Sequence, residues 1–150
     1  MRILLADDHP DLLLIVSDLL NSMFDVVGAV GDGESLLNAA AYLQPDVLVM
    51  DISMPVLTGI EAAQRLKERG DTARIVFLTV HDDPDFVRAS LATGAFGYVV
   101  KPRLASDLVH AIREALADRI FISPSVPTAS SRQQNSSANC VTPARRSYLC

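Results

Sequence analysis

Tryptophan is absent from the 150 residues and aromatic side chains make up only 5%. No stretch approaches the roughly 18 uninterrupted apolar residues of a membrane-crossing helix, and the opening MRILLADDHP meets acid too early for a signal-peptide core. A cytoplasmic protein without a membrane partner is the expectation. Cysteine is nearly missing too: Cys140 and Cys150 stand in a polar tail, at no zinc-ligand spacing and too few for a disulfide framework. Neither GxxxxGK nor GxGxxG occurs, which excludes the glycine-rich loops that cradle nucleotide phosphates. Basic residues are scarce where they would matter. Residues 1–120 hold all 18 acids against ten lysines and arginines, a net charge of −8, with no basic run. Such a surface repels nucleic-acid phosphates, and Arg132, Arg145 and Arg146 alone are too sparse to reverse that, so direct nucleic-acid binding by this chain is not expected.

What the sequence has is apolar patterning: 49% of its residues are hydrophobic, enough for one domain to form a core without a metal or disulfide staple. Short apolar runs at 2–6, 26–30, 46–50, 74–79 and 97–100 have strand length. Amphipathic segments at about 11–22, 34–43, 58–69, 84–92 and 104–118 alternate with them. Five βα repeats predict an α/β, doubly wound, five-stranded parallel sheet covered on both faces, spanning 1–120. Pro10 suits the first turn of the first helix, and Thr58 and Asp82 are candidate caps for the third and fourth. Residues 121–150, rich in Ser, Pro and Asn, read as a disordered tail or the beginning of a linker.

A parallel sheet delivers all its strand ends to one rim, where ligands of open α/β folds bind. Asp7 and Asp8 end the first strand, Asp51 the third, Thr79 the fourth and Lys101 the fifth. Three converging carboxylates repel one another, and a hard cation with oxygen ligands, Mg²⁺ above all, relieves them. A carboxylate nucleophile, a hydroxyl donor and a point cation are the parts needed to move a phosphoryl group, with Asp51 attacking phosphorus and Lys101 holding its oxygens. Around this set, Gly59 reads as permitting a tight turn after the loop that follows Asp51, Pro55 as stiffening that loop, and Met54 as a loop anchor, since sulfur suits Mg²⁺ poorly. His9 reads as a packing or hydrogen-bonding group at the first helix. Gly94 and Gly97 read as a turn around Phe96.

At these residues the chain resembles the receiver domain of two-component response regulators: the acidic pair in LADDHP, the segment DISMPVLTGIEA, the strand-end Thr79, and Lys101-Pro102 after GAFGYVV. The wording TVHDDPDFVRASLATGAFGYVVKP looks most like the branch usually carrying a C-terminal LuxR-type helix-turn-helix. The resemblance implies a flavodoxin-like sheet of order 2-1-3-4-5. It implies Asp51 as phosphoacceptor, Asp8 as a direct Mg²⁺ ligand, Asp7 as a ligand-orienting acid acting mainly through water, and the Ser53 carbonyl completing the metal shell. It further implies a sensor histidine kinase as phosphoryl donor, a cis Lys101–Pro102 peptide, and a switch in which Thr79 swings toward the phosphoryl group and Tyr98 moves inward. Ser53 and His81 flank the pocket and would influence access of the hydrolytic water. The change would be read on the face of helix 4, strand 5 and helix 5, or on the helix 1–helix 5 face, by a downstream protein or a second copy in a homodimer. Two alternatives are a magnesium-dependent phosphohydrolase, against which stands Ser53 where a second catalytic acid is needed, and a phosphorylation-independent receiver-shaped scaffold.

Overall fold

The computed structural model describes residues 1–124. Six strands and five α-helices follow one another: β1 (Arg2–Ala6), α1 (Pro10–Asn21), β2 (Asp25–Val30), α2 (Gly33–Leu43), β3 (Val47–Met50), α3 (Gly59–Glu68), β4 (Arg74–Thr79), α4 (Pro84–Ala92), β5 (Gly97–Val100), α5 (Leu104–Leu116) and β6 (Phe121–Ile122). A 3₁₀ turn, Lys101–Arg103, joins β5 to α5. The strands are all parallel, in the order β2-β1-β3-β4-β5-β6.

Side chains on a strand alternate between faces, and this alternation sorts the core into two halves. Leu4, Leu48, Met50, Phe77 and Tyr98 point to one side, where Leu36 of α2, Ala62, Ala63 and Leu66 of α3 and Val87 of α4 cover them. Ile3, Leu5, Val47, Val49, Val76, Leu78 and Val99 point to the other, under Val16 and Leu20 of α1 and Leu108, Ile112 and Ala115 of α5. Each large aliphatic side chain so buried contributes about 1.5–3 kcal/mol. The apolar period of each helix is thus satisfied by one face of a double-sided sheet. No helix among the described residues is long and apolar enough to cross a membrane.

Helix starts follow local chemistry. Pro10 occupies the first turn of α1. Thr58 caps α3 in a reciprocal box, its hydroxyl accepting from the Glu61 amide while the Glu61 carboxylate accepts from the Thr58 amide. The cap of α4 is Asp83 rather than Asp82: Pro84 takes the first helical position, so the capping side chain must come from the residue directly before it, and Asp83 accepts from the Asp85 amide at 2.8 Å.

Two further differences from expectation concern the C-terminal part. The sheet has six strands rather than five, because after α5 the chain turns back through Asp118, at φ 60°, and lays Phe121–Ile122 along the free edge of β5. The Lys101–Pro102 peptide is trans: no cis peptide occurs among the described residues, and Pro102 sits in the first turn of the 3₁₀ segment that runs straight into α5. Of the segment expected to be a disordered tail, residues 125–150 lie outside the described residues.

Candidate functional site

Backbone pairing carries each functional residue to the same rim. The Asp7 amide donates to the Val30 carbonyl at 3.0 Å, and the Asp51 amide to the Ala6 carbonyl at 3.0 Å. These bonds extend the β1–β2 and β1–β3 pairings one residue past the strands and hold both carboxylates at the carboxyl edge. Asp7 and Asp51 are only 4% and 3% exposed, an expensive location for two like charges.

The cation that makes it tolerable is Lys101. Its Nζ donates to Asp7 Oδ2 at 2.8 Å and to Asp51 Oδ2 at 2.9 Å, so that a lysine from the end of β5 reaches past β4 to the ends of β3 and β1. Burial alone would press the lysine pKa down, but hydrogen bonds and charge from Asp7 and Asp51 outweigh it and leave the pKa raised. The second oxygen of Asp51 accepts from the amides of Ile52 at 2.7 Å and Ser53 at 3.4 Å.

Asp8 is more exposed and joins the set from solvent. Ligand atoms of Asp7, Asp8, His9 and Asp51 all lie within 4.8 Å of one another. Oxygens from three carboxylates, one exposed and two buried, suit a small hard cation that keeps several waters. His9, expected to pack or hydrogen-bond at the start of the first helix, hydrogen-bonds within this cluster. As the residue before α1 it makes no side-chain cap; its ring Nδ1 lies 2.8 Å from Asp7 Oδ1 and 3.0 Å from Asp8 Oδ1, and its amide donates to Asp7 Oδ1 at 2.9 Å. The hydrogen bond to Asp7 and the charge of Asp8 raise the imidazole above its ordinary pKa.

Thr79 is buried at the end of β4, but no hydrogen bond joins its hydroxyl to Asp51; it accepts from the His81 amide at 3.4 Å. Tyr98 is already inward: wholly buried, its hydroxyl donates to the His81 carbonyl at 2.7 Å, and burial pushes its phenol pKa up. His81 also shares a 2.7 Å hydrogen bond with the Ser53 hydroxyl and stacks on Phe86 of α4, ring centroids 4.3 Å apart. The loop after Asp51, the loop after Thr79, and α4 are thereby tied through one histidine. Ser53 and His81 could be singled out in the sequence only as pocket flanks; their bond to each other needed the structure.

The loop that follows Asp51 is tightly seated. Gly59 does not serve as a turn residue. It lies so close to the site that a Cβ there would stand 2.0 Å from the Asp51 carbonyl oxygen, and its amide donates to Ile52 at 2.7 Å. Gly94, by contrast, does make a turn, at φ 89°. Val56, in the same loop as Met54 and Pro55, adopts φ 71°, a left-handed conformation that a β-branched side chain tolerates poorly.

An open parallel α/β sheet of this strand order, with three acids, a buried threonine and a lysine at its carboxyl rim, is the architecture of the response regulator receiver domain. The chain belongs to that family, whose model matches residues 3–113. It is 33% identical over 137 residues to the transcriptional regulatory protein YvfU of Bacillus subtilis (strain 168), covering 90% of this chain and 68% of that protein. It is 34% identical over 156 residues to the nitrate/nitrite response regulator NarL of Escherichia coli (strain K12), covering 98% and 72%. Among solved structures, the LuxR-family two-component response regulator from Aurantimonas sp. SI85-9A1 superposes with a TM-score of 0.80 at 33% identity, over 83% of this chain and 91% of that one. The chain is a phosphorylation-dependent signalling switch of the LuxR-type branch.

Proposed function

We propose that Asp51 is the phosphoacceptor and that a sensor histidine kinase is its donor. A carboxylate oxygen of Asp51 attacks the phosphorus in line, the new P–O bond forms as the bond to the donor nitrogen breaks, and the donor imidazole leaves with that electron pair. Lys101 holds a phosphoryl oxygen, and Thr79 reorients its hydroxyl from the His81 amide to donate to another. Asp8 and Asp51 would ligate Mg²⁺ directly, with the Ser53 carbonyl; Asp7 would act mainly through water. When bound, the ion supplies charge neutralisation to the developing phosphoryl oxygens. The observation that carries this reading is the pair of buried carboxylates, Asp7 and Asp51, sharing one ammonium beside the exposed Asp8.

Tyr98 and His81 couple that site to α4, since a reoriented Thr79 hydroxyl gives up the His81 amide while Tyr98 holds the carbonyl of the same residue. The changed surface is read by a downstream protein or a second copy in a homodimer. Leu14 and Ile15 of α1, 66% and 58% exposed, favour the α1–α5 face for the latter. The compartment consistent with this chemistry is the cytoplasm. A turnover phosphohydrolase is not favoured, because the residue two positions after Asp51 is Ser53, whose hydroxyl is engaged by His81.

The test is intact mass after incubation with Mg²⁺ and acetyl phosphate. Wild type is expected to gain one phosphoryl group and Asp51→Asn none. Equal gain in both would reject Asp51, and gain undiminished by chelator would reject the metal.

A further inference from the structure

The chain leaving α5 comes back to the site. In β6, Phe121 lies opposite Gly97 and Ile122 opposite Tyr98. The Phe121 amide donates to the Phe96 carbonyl and the Ser123 amide to the Tyr98 carbonyl, each at 2.9 Å. His110 of α5 meets the Phe121 ring edge-on, centroids 4.9 Å apart.

Where the strand pairing ends, a side chain continues it. The buried Ser123 hydroxyl accepts from the Val100 amide at 3.2 Å and donates to Asp107 Oδ2 at 2.9 Å. Asp107, also buried, is gripped from the other side by Arg103, Nε to Oδ2 at 2.7 Å and a terminal nitrogen to Oδ1 at 3.2 Å. Val100 and Arg103 are the two residues that bracket Lys101-Pro102. The 3₁₀ turn that carries the lysine is therefore held at its start by Ser123 directly, and at its end by Ser123 through Asp107 and Arg103. Ser123 lies outside residues 3–113, where the family model matches.

We propose that Ser123 is a positioning residue for Lys101: its hydroxyl clamps both ends of the Lys101–Arg103 turn and so sets how closely the ammonium approaches Asp51. Its effect on phosphoryl transfer rests on the function proposed above; its effect on Lys101 does not. Removing that hydroxyl leaves the Val100 amide without this partner and takes one hydrogen bond from Asp107, which Arg103 and Ser106 still hold, and the backbone between the two is the turn bearing Lys101.

The chain has two lysines, Lys67 and Lys101, so amine labelling of the full chain with acetic anhydride, read by peptide mass, compares them directly. Labelling is done without Mg²⁺. Ser123→Ala is expected to raise the Lys101-to-Lys67 ratio about three- to tenfold, the range that the loss of one buried hydrogen bond implies. Ser123→Thr, which keeps the hydroxyl, should stay near wild type. His110→Ala, which removes the ring contact on β6 but leaves the hydroxyl, should too. An unchanged ratio in folded Ser123→Ala overturns the proposal, and so does an equal rise in His110→Ala, which would make the packing of β6 the cause. If Ser123→Ala fails to fold, Ser123→Cys, whose thiol hydrogen-bonds weakly, carries the same comparison with the same two outcomes. With acetyl phosphate, Ser123→Ala should slow labelling of Asp51 at saturating donor, without raising the donor concentration needed for half-maximal rate. A wild type that takes no phosphoryl group defeats the proposed function and leaves the amine ratio to decide the role of Ser123.

Discussion

Lys101 donates to Asp7 and Asp51 at 2.8 and 2.9 Å, so one ammonium holds together two buried carboxylates delivered by β1 and β3. The raised lysine pKa that results is lost as a source of stability only when pH rises through its folded value, above that of a free lysine. At neutral pH the contact is fully present. Replacing Lys101 by Met leaves two buried charges without their cation, and unfolding in urea should show a loss of about 3–5 kcal/mol in the absence of divalent ions. Added Mg²⁺ should recover part of that loss. No loss would mean that the carboxylates do not depend on the charge of Lys101, and a loss without recovery would mean that Mg²⁺ does not take its place.

Removal of a proposed metal ligand should appear in thermal unfolding without any phosphodonor. Mg²⁺ at about a hundred times its dissociation constant stabilises a folded site by about 2.7 kcal/mol. The midpoint of wild type is expected to rise with Mg²⁺ and that of Asp8→Asn to rise far less. Equal rises would remove Asp8 from the ligand set.

Gly59→Ala puts a methyl group 2.0 Å from the carbonyl oxygen of Asp51. Backbone cannot yield as a side chain can, so denaturant unfolding should show a loss of about 3 kcal/mol. Slower phosphorylation should accompany it because the displaced residue is Asp51 itself. A loss below about 1 kcal/mol would show the loop to be compliant there.

Val56 is 79% exposed and held at φ 71°, so its side chain gains little from burial and strains the backbone. Asn accepts the left-handed region more readily. Val56→Asn should therefore raise the thermal midpoint, by an amount corresponding to about 1 kcal/mol. A lowered midpoint would mean that the valine makes contacts worth more than its strain.

Acid should loosen the α5–β6 junction. Burial alone would raise the Asp107 pKa, but hydrogen bonds from Arg103, Ser123 and Ser106 prevail and hold it below the ordinary carboxylate value. A depressed folded pKa contributes stability above the unfolded pKa, about 3.9 for a free aspartate, and that contribution disappears as pH falls through the folded value. The stability difference between about pH 6 and about pH 3 should accordingly be smaller in Asp107→Asn than in wild type. An identical difference would place the acid sensitivity elsewhere.

Much of this arrangement was readable from residues alone, for physical reasons. The five βα repeats have clear periods because helices cover both faces of the sheet, and β3, near its centre, is buried at all four positions. The rim follows from parallel topology, which forces Asp7, Asp51, Thr79 and Lys101 into one neighbourhood wherever the strands end. What escaped was short or relational. The two residues of β6 are too few to show alternation, and the Ser123–Asp107 bond beside them joins groups sixteen positions apart. Asp82 and Asp83 are equivalent candidates until Pro84 fixes where α4 begins. The trans peptide at Pro102 follows from a 3₁₀ turn that the apolar period does not register. Gly59 looks like a turn residue in sequence because close approach to another backbone leaves no local mark.

The central claim is that Asp51, rather than another carboxylate of the cluster, carries the phosphoryl group. The most direct measurement is to phosphorylate the protein with acetyl phosphate and Mg²⁺, reduce the acyl phosphate with borohydride, and locate the resulting homoserine by peptide sequencing. Homoserine at position 51 alone is the predicted result; homoserine at Asp7 or Asp8, or at no position, would contradict it.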